Sequence, residues 1–158
     1  MNSKNHLLLG AVGVVAMLLS GCANNPLAPA TPVAGADARP CERNFVQEGS
    51  VLSPSGISYT TRAFVSQVNR KMAVERASKQ LAMDGMQIGT LDKDNGLLTA
   101  GNRVIAGNGE SVPFVLMAEP AKDGVDLSLK FSVRFGQVIA ANSVRENFCK
   151  VIEATKRG

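Results

Sequence analysis

The clearest pattern in the chain is a strict alternation of apolar and polar residues between positions 125 and 135. The apolar set is Val125, Leu127, Leu129, Phe131, Val133 and Phe135. A period of two predicts a β-strand with one face buried and the other in solvent. Such a strand needs antiparallel neighbours. One expected neighbour is the segment 112–119, which the sequence PAKDG connects to it.

A first helix is predicted after position 69, where apolar residues recur every three or four positions. Asn69 is a suitable N-cap, and Gly85 stands where the end of a helix favours the left-handed conformation. Glu75 and Lys79 have the spacing of an ion pair along a helix. The apolar stripe consists of Val74, Ala77 and Leu81.

A second helix is predicted near the end of the chain. Ser143 and Glu146 are spaced as a capping box at its start. Cys149 lies beside the apolar stripe of this helix, close to its buried side. The stripe follows i, i+4, i+7 and i+8 and consists of Val144, Phe148, Val151 and Ile152.

Four shorter strand segments complete the pattern. They cover residues 45–52, 57–65, 87–91 and 97–102, the last of them extending to positions 104 and 105. Asn95-Gly96 is a strong signal for a hairpin turn between two of them. The resulting order predicts an α+β fold, in which one antiparallel sheet carries two helices on one face.

The junction between the first helix and the next hairpin is similar to that of the helix-grip domains of BamC-type envelope lipoproteins. In those domains a Leu-x-x-x-Gly helix end leads into an Asp-x-x-x-Gly hairpin. The resemblance implies a helix-grip-like fold, and its residues serve turns and core instead of chemistry. The matching positions are Leu81, Gly85, Asp92, Gly96, Leu97 and Thr99.

The first 21 residues have the organisation of a bacterial export signal. Lys4 is followed by an apolar run at positions 7–19, which is too short to span a bilayer and typical of a secretory signal. The sequence Leu19-Ser20-Gly21-Cys22 resembles the lipobox of bacterial lipoproteins. The resemblance implies a diacylglycerol on the Cys22 thiol, cleavage before that residue, and acylation of the new amino terminus, for example with palmitate.

The residue after Cys22 bears on the destination of such a lipoprotein. The sorting rule of the family uses aspartate at this position for retention in the inner membrane, and Ala23 stands here. The resemblance therefore implies an outer-membrane anchor, with the domain expected on the periplasmic side.

Residues 22–40 are rich in proline and alanine. Such a segment cannot bury a core, and at ~3.1 Å per residue it can hold a domain roughly 50 Å from its anchor. We therefore expect a signal peptide at 1–21, a lipidated cysteine and tether at 22–40, and a single domain at 41–158.

Cys41 and Cys149 are the two cysteines that remain when Cys22 carries lipid. An even number of cysteines in an exported protein predicts a disulfide. This bond would join the start of the domain to its terminal helix. A redox-active or metal-binding pair is the alternative, but the spacing is not CxxC and no histidine partner accompanies the pair.

Composition argues against several function classes. His6 is the only histidine and lies in the predicted signal, so the mature chain cannot form a Ser-His or Cys-His catalytic pair. With Lys4 removed, 16 basic residues face 13 acidic ones, a mild and scattered excess that does not suggest nucleic acid. We expect a protein that is not an enzyme and that uses no metal or cofactor.

Positive and methionine residues concentrate around the first helix. Arg70, Lys71 and Arg76 are the candidate partner-binding residues, although a merely solvated face and a face turned to anionic lipid are alternatives. The three methionines fill gaps in a core or line an adaptable groove; they are Met72, Met83 and Met86.

Two functions are compatible with these features. The first is a tethered, non-catalytic accessory lipoprotein that binds another envelope protein through a sheet edge or a helix face. The alternative is a binding module whose groove between helix and sheet takes a small apolar ligand or lipid. A large enclosed apolar pocket would favour the alternative.

Overall fold

The computed structural model describes residues 38–50, 52–103 and 111–157. Within these ranges the helices are α1 (Pro40–Arg43), α2 (Arg70–Met83) and α3 (Ala141–Lys156). The strands are β1 (Val46–Gly49), β2 (Ile57–Ser66), β3 (Gln87–Asp92), β4 (Leu97–Arg103), β5 (Ser111–Ala121) and β6 (Gly124–Val133). They form one antiparallel sheet in the order β1-β2-β6-β5-β4-β3. The predicted α+β fold class is confirmed.

The core lies between one face of the sheet and the helices. A row of residues that are paired across β2, β6, β5 and β4 is fully buried, and it consists of Thr61, Leu129, Leu116 and Leu98. The row on the opposite face is partly open to solvent, and it consists of Thr60, Lys130, Val115 and Thr99. Alternate residues of these strands therefore lie on a buried face and on a partly exposed face, as the period of two predicts.

The strand predicted at positions 125–135 ends earlier than expected. The apolar residues of β6 are buried through Val133, whereas the Phe135 side chain is 62% exposed. The placement of Phe135 on the buried face is therefore wrong. The reason is local: Gln137 donates its backbone N–H to the Arg134 carbonyl at 3.1 Å, and a turn with Gly136 at φ +80° replaces the strand.

Helix α2 has both predicted ends. The Asn69 side chain accepts a hydrogen bond from the Met72 backbone N–H at 2.9 Å, as an N-cap does. At the other end Gly85 has φ +82°, and the Met86 N–H reaches back to the Leu81 carbonyl at 2.9 Å. This is the Schellman arrangement, which satisfies carbonyls that the helix leaves unpaired.

Helix α3 starts before its predicted capping box. Its N-cap is Ala140, which makes no side-chain capping bond, so Ser143 already lies inside the helix. Glu146 instead accepts a hydrogen bond from the Arg39 guanidinium at 2.7 Å. The capping-box prediction is therefore wrong, because the Glu146 carboxylate is bonded to Arg39, which is distant in sequence, and not to the start of the helix. The predicted apolar stripe of this helix is buried and thus confirmed.

The hairpin predicted at Asn95-Gly96 is confirmed, with a turn of four residues between Asp92 and Leu97. The Asp92 carboxylate accepts hydrogen bonds from the backbone N–H groups of Asp94 and Asn95. Gly96 has φ +80°, and a Cβ there would lie 2.2 Å from the Ala118 carbonyl oxygen. Only glycine fits this position. The extension of β4 to positions 104 and 105 lies outside the described residues.

The two predicted disulfide partners meet. The Sγ atoms of Cys41 and Cys149 are 2.07 Å apart, which is bonding distance, and join α1 to α3. Both cysteines are buried, and the Thr61 hydroxyl donates to the Cys41 carbonyl at 2.8 Å. Helix α1, at the start of the described domain, is therefore held by both α3 and β2.

Candidate functional site

Two of the three candidate partner-binding residues contact the β3–β4 hairpin from α2. Lys71 forms an exposed ion pair with Asp94. The aliphatic stem of Arg70 lies next to Gly96 in the same turn. Arg70 and Lys71 therefore lie on one small charged surface with the hairpin, close to the N-terminus of α2, in which Asp94 pairs with Lys71.

Arg76 lies elsewhere, in the seam between α2 and α3. Its guanidinium donates to the backbone carbonyl of Thr155 at 2.9 Å. A cation at the C-terminal end of a helix is stabilised by the partial negative charge of the unpaired carbonyls there. Arg76 thus contributes to helix packing and does not share the surface of Arg70 and Lys71.

An apolar notch opens between the end of α2, the first half of α3 and the sheet. Its volume is about 90 Å³. Three polar residues contribute to its lining, namely Asp84, Asn102 and Asn147. The apolar lining consists of Leu81, Met86, Phe114, Phe131, Ile139, Val144, Phe148 and Val151.

The three methionines divide between core and surface. Met86 is partly buried and packs against the core beside the notch. Met72 is 38% exposed, and Met83 is 81% exposed near the C-terminal end of α2. The gap-filling role therefore fits Met86, while Met83 offers an uncovered apolar side chain.

A second, larger recess runs along the outer surface of the helical layer, and we call it the α2–α3 groove. Its volume is about 550 Å³. Five cations and two carboxylates line it, together with one methionine. The lining residues are Arg39, Arg76, Lys79, Gln80, Met83, Glu146, Lys150, Glu153, Ala154 and Arg157.

Sequence reasoning did not detect the α2–α3 groove. Its residues come from α2, α3 and the segment before α1, and no single stretch of sequence brings them together. The available signal is the pair Lys150 and Arg157, whose separation of seven residues is that of residues on the same side of a helix. That signal alone does not distinguish a binding surface from an ordinary solvated one.

Arg39 stands at the rim of the α2–α3 groove and anchors the start of the domain. Its guanidinium contacts Glu42 and Glu146, each at 2.7 Å. The hydrogen bonds to these two carboxylates raise the pKa of Arg39, and the hydrogen bonds from Arg39 lower the pKa of Glu42. Arg39, the residue that precedes α1, is therefore held beside α3.

Glu75 provides a test of the surface charges around α2. Hydrogen bonds from Lys79 at 2.9 Å and Lys93 at 3.1 Å lower its pKa from the ordinary 4.5 to about 2. Because the folded-state pKa is depressed, the contribution of Glu75 to stability is complete above pH 4.5 and is lost as the pH falls towards 2. The effect on stability is small, since the pair is exposed.

We expect a carboxyl titration by NMR to give Glu75 an apparent pKa of about 2. Lys79→Ala should raise this pKa towards its ordinary value. Lys150→Ala is the matched control, because Lys150 forms no ion pair with Glu75. A Glu75 pKa near 4.5 in the unmodified protein would contradict the ion pairs.

Among the described residues, no helix has the length and apolar character needed to cross a bilayer. Within the same part of the chain, no group of three or more His, Cys, Asp or Glu side chains is placed to hold a metal ion.

The fold defines the chain as an α+β domain with helices on one face of an antiparallel sheet. No known protein family and no curated protein matches the sequence of this chain. Among solved structures, it is similar to a conserved protein of unknown function from Enterococcus faecalis. That match has a TM-score of 0.43 and 12% identity, and it covers 71% of this chain and 74% of that one. A likeness of this degree carries no conclusion about function.

Proposed function

We propose that the protein is a bacterial outer-membrane lipoprotein, anchored through Cys22, whose domain faces the periplasm and binds another envelope protein without catalysis. The lipobox-like sequence before Cys22 and the proline-rich segment after it support the anchor and the tether. A tether confines the domain near the membrane and raises its effective concentration there, so a weak contact with the partner is sufficient.

The size of the apolar notch favours this function over a carrier of apolar ligands. Pockets for small molecules usually enclose about 300–1,000 Å³, whereas the notch measures about 90 Å³. Such a volume suits a single apolar side chain from a partner better than a lipid tail. The carrier remains the second candidate, and its support is the predominantly apolar lining of the notch.

The partner surface that we propose is the N-terminal turn of α2 together with the β3–β4 hairpin. Arg70 and Lys71 lie there, and the neighbouring Met72 is partly exposed. Arg76 is better assigned to the contact between the helices, because its guanidinium is bonded to Thr155.

The partner surface is tested by in-cell crosslinking and capture of the lipidated protein. Arg70→Glu combined with Lys71→Glu should weaken capture of the partner and leave the unfolding midpoint nearly unchanged, because exposed charges contribute only ~0–1 kcal/mol. Lys130→Glu, on the open face of the sheet, is the matched control and should capture normally. If the double variant keeps its partners while a larger side chain in the notch abolishes function, the carrier replaces this proposal.

The anchor is tested separately. We expect mass spectrometry of the membrane-purified protein to find Cys22 as a lipid-modified first residue, in the outer-membrane fraction. Cys22→Ala should prevent lipidation and the cleavage that depends on it. An unmodified Cys22, a different amino terminus or recovery in the inner-membrane fraction would contradict the assignment.

A further inference from the structure

The α2–α3 groove has positive charge that its own carboxylates do not neutralise. Glu146 is paired with Arg39, and Glu153 is paired with Lys156, both at 2.7 Å. In the described part of the chain, Lys150 and Arg157 form no ion pair with either carboxylate. The groove therefore presents free cations, and an anionic surface would complement them.

An uncovered apolar side chain accompanies these cations. Met83 lines the α2–α3 groove and is 81% exposed. Cations that reach phosphate groups, beside an apolar side chain that enters the boundary between headgroups and acyl chains, are typical of surfaces that lie on anionic membranes. The aliphatic stems of Lys150 and Arg157 extend the apolar contact that such a surface makes.

The position of the tether selects the membrane as the occupant. Arg39 lies at the rim of the groove, and the preceding residues lead back to Cys22. A tether of this length spans at most roughly 50 Å at ~3.1 Å per residue. Because Arg39 lies on the side of the groove, this face reaches the bilayer with the tether less extended than the opposite face would require. This step rests on the lipid anchor proposed above.

We propose that the α2–α3 groove docks on the anionic phospholipid surface in which the Cys22 lipid is inserted. Each basic residue held near such a surface strengthens the association about fivefold. In the docked orientation the helical layer faces the membrane, and the open face of the sheet points away from it. The domain is then held on the membrane in one orientation.

The test uses the lipidated protein in vesicles of phosphatidylcholine, with or without phosphatidylglycerol. Met83→Cys carries an environment-sensitive fluorophore, because the lipid blocks Cys22 and the disulfide protects Cys41 and Cys149. The emission should shift to the blue in vesicles that contain phosphatidylglycerol and not in phosphatidylcholine alone. The shift should disappear at ~1 M salt, where the screening length falls to about 3 Å.

Two variants and a second label position make the test specific. Lys150→Glu combined with Arg157→Glu should abolish the blue shift, whereas Lys130→Glu should preserve it. A fluorophore at Lys130→Cys, on the open face of the sheet, should keep the emission of a water-exposed label with both kinds of vesicle. If Lys130→Glu abolishes the blue shift as the groove double variant does, the proposal is overturned, because the effect then does not belong to the groove.

The anchor and the docking are read out separately. Flotation with phosphatidylcholine vesicles reports the lipid anchor, and the emission of the label at position 83 reports docking. If the protein floats and the label stays in water on phosphatidylglycerol, docking is wrong and the anchor stands. If the protein does not float on phosphatidylcholine, the anchor is wrong and Cys22 is no longer blocked; docking is then read from the label at position 83 in a chain that also carries Cys22→Ala, where a blue shift on phosphatidylglycerol supports it. A shift that requires an added acidic protein overturns the membrane as the occupant.

Discussion

Replacement of both Cys41 and Cys149 by alanine will lower the free energy of unfolding by about 3–5 kcal/mol. The bond joins residues 108 positions apart, and on the chain-entropy model a loop of about 100 residues contributes up to ~4.7 kcal/mol by restricting the unfolded chain. Urea unfolding followed by circular dichroism, for the variant and for the oxidised and reduced natural protein, measures the loss.

The fold itself should survive this double replacement. The sheet and both long helices share a core of aliphatic residues, and its burial does not depend on the crosslink. Reduced natural protein and the double variant should therefore have similar midpoints, both below that of the oxidised protein. Thiol labelling at both cysteines of the native, unreduced protein, or an unchanged midpoint in the variant, would show that the bond does not form.

Phe148→Ala should cost about 3–5 kcal/mol of stability, as large-to-small changes at buried aromatic residues do. The Phe148 ring is 1% exposed, and its centroid lies 6.0 Å from that of Phe45 and 5.9 Å from that of Phe114. Removal of this ring deletes both contacts and enlarges the apolar notch that it lines. Thermal and urea unfolding measure the effect.

Phe135→Ala is the matched control, since it makes the same chemical change at a side chain that is 62% exposed. We expect its stability to remain within about 0.5 kcal/mol of the natural protein. Equal losses at the two positions would contradict the assignment of Phe148 to the core and of Phe135 to the surface.

The elements that were predicted correctly are those whose signal is local and repeated. The alternation from Val125 to Val133 and the stripe from Val144 to Ile152 depend only on which face of an element meets the core, and both were right. Asn69 and Gly85 were found because their caps involve residues a few positions away. A single antiparallel sheet followed from the number of such strands and the turns between them.

One incorrect prediction concerns a residue whose partner lies far away in the sequence, and the other concerns a local turn that the alternation of apolar residues does not reveal. Glu146 had the spacing of a capping box, but Arg39 takes its carboxylate. Phe135 continued the alternation, but a turn with its own hydrogen bonds ends the strand first.

The same limit applies to the candidate site. Arg76 belongs to a contact between helices, and the sequence alone does not bring its guanidinium to the carbonyl of Thr155. The α2–α3 groove is also a tertiary feature, because it forms only when α2, α3 and Arg39 are packed together. Local patterns identify charged residues on the exposed side of a helix, but not which of their charges are already neutralised.

The covalent link between α1 and α3 also determines how the domain bears mechanical load. The edge strand β1 follows α1 directly, so without the disulfide a pull on the preceding chain would peel β1 from β2 one hydrogen bond at a time. With Cys41 bonded to Cys149, the pulling force passes at the second residue of α1 into the terminal helix. The edge strand then carries none of the pulling force, and the domain resists extension at the point where the preceding chain enters it.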